Sequence, residues 1–341
     1  MVRLKKIIIG ILSVLILLNL SIVGGVWYLR SKGNENIRSQ NQTNREGYYV
    51  TYQGKEYKYN DDMINILLVG IDKRGNIEEE VQGIQGLADT VILVSLDTTN
   101  NTLYMTAIPR DTMTEIRQTD TEGNFVQTTK DKLTLQYGYG KDAQESNELM
   151  VTTVSNLMRN LPIQRYCTIN MDAIPILNDT IGGVDVTALE TVQTSAGTVY
   201  FTEGENVHLT GDEARKYIQV RDVSQIGSAM GRLNRQKQYI NAFYSQAIQA
   251  VKQDLGLPLG LYNALQPYMV TNLTLEDVTY LGTEMLNMNF NPDQLTQIPG
   301  EAVYDENYKG GRTVFNVDED ALQKWIMDTY YIEAGTDQEQ Q

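Results

Sequence analysis

The chain has 341 residues, enough for one large domain or two modest ones. Its formal net charge of -15 and pI near 4.6 exclude an open nucleic-acid surface, which needs a basic stripe to neutralise phosphates, so any anion is bound locally. With one cysteine, Cys167, and one histidine, His208, disulfide frameworks, Cys/His metal sites and most histidine-based triads are excluded; carboxylates, Arg/Lys, amides, hydroxyls or a hard metal remain.

Arg3, Lys5 and Lys6 precede a run from Ile7 to Leu29 that carries no charge. About 20 apolar residues span a bilayer, whereas the apolar part of a cleaved signal is roughly 7 to 15 residues and ends in a small-residue site, for which there is no clear Ala-x-Ala pattern here. The expected organisation is a cytoplasmic segment at 1–6, an uncleaved transmembrane anchor at 7–29, and everything after Arg30 on the outer face, because positive charge stays inside. Residues 30–47 are polar and almost free of large aliphatics, the composition of a flexible linker. The folded domain is expected over 48–334, and 335–341 reads as a frayed tail.

From Tyr48 a short aromatic strand pair (YYVTYQGKEYKY) leads to three strands, Asn65 to Asp72, Thr90 to Asp97 and Thr102 to Pro109, the last two joined as a hairpin across Asp97 to Asn101. NILLVGID and VILVSLD are near-continuous apolar runs, the pattern of strands covered on both faces, so helices should flank this sheet in an α/β or α+β sandwich. A helix is expected at Asn147 to Leu161, with Pro162 beyond its end, and another from about Gly231 to Leu255. Between them lie a strand, Tyr166 to Asp172, and a turn at Gly182 and Gly183.

Charge gathers where the strands end: Asp72 and Arg74 after the first, Asp89 opening the second, Arg110 and Asp111 closing the third. A single charged loop residue is ordinary, but three such segments at the ends where open sheets bind ligands form a candidate site. Arg221, Asp222 and GRLNRQKQ form a second constellation. On a helix, Arg232, Arg235, Gln236 and Tyr239 fall within one arc, and arginine suits multidentate phosphate contacts near a helix N-terminus. A surface ion-pair network is the competing reading. Lys132 fits either a phosphate ligand or a loop lysine; His208 reads as a partly buried, structurally satisfied imidazole, and Cys167 as an inert small hydrophobe.

At these residues the chain resembles the LytR-CpsA-Psr family of cell-envelope proteins. The matching stretches are NILLVGIDKRG, ADTVILVSLD, YMTAIPRDT, KLTLQYGYG, LPIQRYCTINMDAIPILNDTIGGVDV, LTGDEARKYIQVRD and GRLNRQKQYI, in family order, over about residues 62–252. IPGEAV and FNVDEDALQKWI resemble the family's C-terminal end.

The resemblance implies an α/β fold, an α-β-α sandwich with a mixed central sheet. It implies transfer of a teichoic acid or capsular polysaccharide from a polyprenyl diphosphate lipid to peptidoglycan, with the lipid chain buried between sheet and helices. Carried over motif by motif, Asp72 and Asp89 hold Mg²⁺ (or Mn²⁺), while Arg74, Arg110, Lys132, Arg221, Arg232 and Gln236 grip the diphosphate; Arg235 matches the same motif as support or ligand. Asp111 positions Arg110 or acts as base, and its arginine neighbour favours positioning. Such chemistry needs charge neutralisation and alignment rather than histidine or cysteine.

The chain departs from the family pattern at Leu87 and Gln219, where arginines are usual, and at Ala229, where an acid is usual; Asp222 has no assigned role. Three readings compete: a metal-dependent phosphotransferase, a non-catalytic lipid-binding sensor or attenuator of envelope synthesis, and a lipid diphosphate hydrolase. The pair Asp72 and Asp89 favours catalysis, whereas Leu87 and Gln219 favour the binder.

Overall fold

The computed structural model describes residues 24–39, 48–75, 77, 86–222, 224, 228–289 and 295–334. Helix α1 (24–39) comes first, followed by the antiparallel pair β1 (Tyr49–Tyr52) and β2 (Lys55–Tyr59). The apolar runs then form β3 (Met63–Ile71), β4 (Ala88–Asp97) and β5 (Thr102–Ala107). Asp97 closes the β4–β5 turn by accepting from the main-chain N–H groups of Thr99 and Asn100 at 3.1 and 2.9 Å. β6 (Met113–Thr119) and β7 (Phe125–Lys132) make an antiparallel arm beside the sheet.

Helix α2 (Ala143–Leu157) starts where Asp142 accepts from the Glu145 N–H at 2.8 Å, and it stops before Arg159 and Asn160, whose φ of 61° and 62° no helix continues. Then come β8 (Arg165–Asn170), α3 (Ala173–Thr180) and four short strands, β9 (Val184–Thr187), β10 (Val192–Gln193), β11 (Val199–Phe201) and β12 (Asn206–Leu209). A capping box of Thr210 and Glu213 opens α4 (Gly211–Gln219), and the long α5 (Ser228–Gln253) follows. The C-terminal third supplies α6 (Leu257–Leu265), β13 (Met269–Thr271), α7 (Leu275–Met285), β14 (Leu295–Gln297), the hairpin β15 (Gly300–Asp305) and β16 (Arg312–Val317), α8 (Glu319–Tyr330) and β17 (Tyr331–Glu333).

The central sheet has six strands in the order β13-β8-β3-β4-β5-β14. It is mixed: β3 runs parallel to β8 and antiparallel to β4, and β14 joins β5 in parallel. Alternation along β3 divides the core. Met63, Leu67 and Val69 face a cluster built with Met150 and Val154 of α2 and Leu322 and Ile326 of α8. Ile64 and Ile66 face a second cluster with Tyr244 of α5, Tyr280 and Leu281 of α7, and Ile37 of α1. The result is the α-β-α sandwich expected from doubly covered strands.

One sequence expectation changes. Residues 30–39, assigned to the flexible linker, belong to α1, which packs on the domain. Gly33 lies so close to α7 that a Cβ would fall 2.2 Å from the Glu276 carbonyl oxygen, and Ile37 is fully buried. Arg30 pairs with Glu284 at 2.7 Å, and Arg38 with Asp62 at 2.9 Å. A polar composition concealed this docking because it rests on one aliphatic residue and one missing side chain. Helix and strand ends also shift by up to four residues, α2 beginning at Ala143 rather than Asn147.

Among the described residues no helix is long and apolar enough to cross a membrane. Of the expected anchor at 7–29, residues 24–29 open α1 and the remainder lies outside the described residues, as do 40–47 and the tail at 335–341.

Candidate active site

Strand register builds one charged corner. Gly70 pairs with Thr90 and Ile71 with Ala88, so Asp89 is an extra residue on β4, a bulge of the kind that bends a strand and re-aims its side chains. Ile71 also pairs with Asn170 of β8, and Ile92 with Ala107 of β5, so Asp72, Asp89 and the Arg110–Asp111 pair leave the sheet at the same end. The loop after Asp72 is tied down by Gly75, which donates to Asp172 at 2.9 Å and accepts from the Asn170 amide at 2.6 Å. Arg74 is exposed on that loop.

Ion pairs order the side chains at this corner. Arg110 donates through Nη1 to Asp89, and its Nε lies 3.9 Å from Asp111 Oδ2. Lys132 Nζ donates to Asp111 Oδ1 at 2.7 Å, with its own side chain only 13% exposed. Asp89, Arg110, Asp111 and Lys132 thus form a row of alternating charge, and Lys132 is a member of the site rather than a free loop lysine.

Arg232, on the first turns of α5, joins this row from the helix layer. Burial, and next the proximity of Arg221 and Arg110, hold its guanidinium below its ordinary value, while Asp89 acts in the opposite sense. A guanidinium does not deprotonate in a protein, so the shift reports first a charge withdrawn from water and second its cationic neighbours, both of which a bound anion would offset.

Arg235, three residues on, is tied to its own neighbours. It is 1% exposed, donates through Nε to Glu190 at 2.8 Å and through Nη2 to the Val220 carbonyl at 2.6 Å, and stacks on Tyr217. Through these two contacts it braces the segment that carries Arg221, while its Nη1 is buried with no hydrogen-bond partner among the described residues. The helical arc placed it with Arg232, but the three-residue step carries its guanidinium to Tyr217 and Glu190. Gln236 donates to the Ile218 carbonyl at 3.1 Å, and Asp222 accepts from the Ser224 N–H at 3.0 Å in a turn leading toward α5.

Asp72 is exposed and Asp89 partly so, and among the described residues no group of three or more His, Cys, Asp or Glu could hold a metal. Two carboxylates at one corner fit Mg²⁺ or Mn²⁺, hard cations that complete their shell with water and substrate phosphate, and do not fit a metal that needs nitrogen or sulfur ligands.

An apolar floor adjoins the corner. Leu68, on β3 at the middle of the sheet, is 36% exposed, and its neighbours on the same face, Ile92, Ala107, Cys167 and Ile169, are only partly covered. Helices α3, α5, α6 and α7 cover this face around them, through Leu177, Tyr244, Leu261 and Leu281. Along β3 the same face passes from Leu68 through Gly70 toward Asp72, so the floor runs into the charged corner. Burial pushes the Cys167 thiol up to about 12, which keeps it protonated, as expected of an inert hydrophobe.

His208 is exposed rather than partly buried; its Nδ1 lies 2.7 Å from Asp185, and its ring covers Gly183 far from the corner. Leu87 is exposed beside Asp89, and Gln219 ends α4. Glu190, which pairs with Arg235, and Tyr308, whose ring lies 5.3 Å from Lys132 Nζ, escaped the sequence reading because neither sits in a motif or a periodic element.

Fold and site together define a mixed α/β sandwich with an ion-paired corner that opens onto an apolar floor. The chain belongs to the LytR_cpsA_psr family, whose profile matches residues 26–329. It is 30% identical over 304 residues, 87% of this chain and 88% of the relative, to the polyisoprenyl-teichoic acid–peptidoglycan teichoic acid transferase TagU of Bacillus cereus. The same-named protein of Halalkalibacterium halodurans is 32% identical over 188 residues, 55% of this chain and 54% of its own. Among solved structures, TagV of B. subtilis is similar with a TM-score of 0.57 and 25% identity, over 78% of this chain and 96% of that one. Protein gbs0355 of Streptococcus agalactiae shares the fold with a TM-score of 0.62 at 20% identity, over 78% and 87% of the two chains.

Proposed function

We propose that this protein is a membrane-held transferase that moves a phosphate-linked glycopolymer, of the teichoic acid or capsular polysaccharide type, from a polyprenyl diphosphate carrier to peptidoglycan. The observation that carries the reading is the corner row Asp89, Arg110, Asp111 and Lys132, in a chain of net charge -15, beside an apolar floor left open in the middle of the sheet. An amphiphile with a diphosphate head and a polyprenyl tail satisfies both halves of that site. The relatives named as teichoic acid transferases support the same substrate class.

In the reaction a peptidoglycan hydroxyl attacks the phosphorus that carries the glycan. The bond from that phosphorus to the bridging oxygen breaks, polyprenyl phosphate leaves, and the hydroxyl proton is released. Little covalent help is needed; alignment and charge stabilisation do most of the work. Arg110, Arg221 and Arg232 take the phosphoryl oxygens, and Lys132 holds the charge of the leaving phosphate. Asp111 keeps Arg110 and Lys132 in place, its two oxygens facing one cation each. Asp72 and Asp89 hold Mg²⁺ or Mn²⁺, which supplies Lewis-acid stabilisation when bound. The apolar run at 7–29 anchors the domain at the outer face of the membrane, where the carrier lipid resides.

The second reading, a sensor that holds the lipid without turning it over, draws on Leu87 and Gln219 at positions where the family pattern has arginine. Titration with geranylgeranyl diphosphate tests the site common to both. Arg232→Ala and Leu68→Asp are each expected to weaken binding about tenfold, the loss of one charge-assisted contact or of one apolar wall. Unchanged affinity in both variants rules out the corner and the floor as the lipid site.

A further inference from the structure

The C-terminal hairpin reaches the site from far along the chain, and it grips both partners of one ion pair. Phe315 of β16 donates its main-chain N–H to the Asp111 carbonyl at 2.9 Å. At the hairpin turn, the Tyr308 ring lies under Lys132, with Nζ 5.3 Å from the ring centroid. The Tyr308 hydroxyl donates to Asp131 Oδ1, the residue before Lys132. Asp131 is held in turn by its pair with Lys309 at 2.7 Å and by the Lys132 N–H at 2.8 Å. The turn takes a left-handed path: Lys309, Gly310 and Gly311 have φ of 46°, 81° and 91°, which favours glycine at the last two positions.

A lysine stem has four rotatable carbons, and holding its ammonium in one place costs conformational entropy unless surrounding groups confine it. Asp111 confines Lys132 on one side. The negative face of an aromatic ring confines a cation on the other, and a hydroxyl fixed to Asp131 sets the tilt of that ring. We propose that Tyr308 is a positioning residue for Lys132, with Asp131 and Lys309 fixing Tyr308, so that the hairpin β15–β16 is part of the transfer machinery. This rests on the reading of Lys132 as the cation that meets the diphosphate.

The test uses the full chain in detergent, with a synthetic polyprenyl diphosphate-linked disaccharide as donor and peptidoglycan oligomers as acceptor, for Tyr308→Leu, Tyr308→Trp, Tyr308→Phe and Lys132→Ala. Tyr308→Leu is expected to lower kcat about tenfold, with KM for the donor little changed, because the ammonium loses the aromatic face that holds it in place. Tyr308→Trp restores most of the rate, and Tyr308→Phe falls between. A folded Tyr308→Leu with the wild-type kcat, while Lys132→Ala is inactive, overturns the positioning role alone. Full activity in Lys132→Ala overturns the underlying reading of Lys132.

Discussion

Arg110 and Asp89 are paired across the corner between β5 and β4, so the same carboxylate that would hold a cation is neutralised by the same arginine that would hold a phosphate. Cation and diphosphate must therefore bind together: a cation that takes Asp89 releases Arg110, and a diphosphate that takes Arg110 bares Asp89. Linkage makes this coupling reciprocal. Arg110→Ala is expected to tighten Mn²⁺ binding to the lipid-free protein severalfold, the effect of deleting a half-exposed pair of about 1 kcal/mol, while lowering transfer about 100-fold. Calorimetric Mn²⁺ titration checks the first half, and weaker binding in the variant would refute the competition.

Arg235 and Glu190 form a largely buried ion pair at 2.8 Å. Removing Arg235 strands Glu190 near Gly231, where a Cβ would lie 2.1 Å from Glu190 Oε2, and frees the Val220 carbonyl. Arg235→Ala is expected to destabilise the fold by about 2 kcal/mol, below the range for a wholly buried pair because water reaches Glu190. Denaturant unfolding measures this, and a change below about 0.5 kcal/mol would mean that the brace is idle.

Helix α1 is expected to behave as part of the domain. Ile37→Asp puts a carboxylate among Tyr280, Leu281 and Ile64, and should release α1. Hydrogen exchange over 24–39 should then become fast while β3 and β4 stay protected. Equally fast exchange of that helix in the wild-type protein would restore the flexible tether inferred from composition.

Alkaline pH should unfold the protein through its buried phenols and thiol. Burial pushes Tyr330 and Tyr331 up to about 12 from an ordinary 10.0, and Cys167 up to about 12 from 9.0; Tyr59 moves the same way. Each folded-state value is raised, so the folded state holds its proton longer than the unfolded one. The stability this confers is complete below pH 9 and is lost as pH rises from there through 12, at about 1.4 kcal/mol per unit for each fully shifted group. Melting temperature is expected to fall steeply across that window, and a flat profile would show that these groups ionise freely in the fold.

Much of this was legible in the sequence, for physical reasons that differ by element. β3 and β4 announced themselves as unbroken apolar runs because both faces are covered, and Asp72, Asp89, Arg110 and Asp111 stood out because they end those runs. Lys132 could not be decided from β7 alone, an arm of mostly polar residues, since its partner Asp111 lies on the segment after β5. Arg235 was left open between support and ligand because helical spacing fixes an arc but not the neighbours that occupy it; Glu190, remote in sequence, takes its Nε. Tyr308 was invisible for the same reason, being a turn residue whose meaning comes from Asp131 and Lys132.

The central claim is tested most directly by incubating the full chain with a polyprenyl diphosphate-linked glycan donor and peptidoglycan oligomers, with Mg²⁺ or with chelator, beside Asp89→Ala and Arg110→Ala. The expected result is a glycan phosphodiester on the peptidoglycan and free polyprenyl phosphate, formed with metal and lost with chelator or with either substitution. Tight lipid binding with no phosphodiester formed, across several donors and acceptors, would contradict a transferase and leave the lipid-holding sensor in its place.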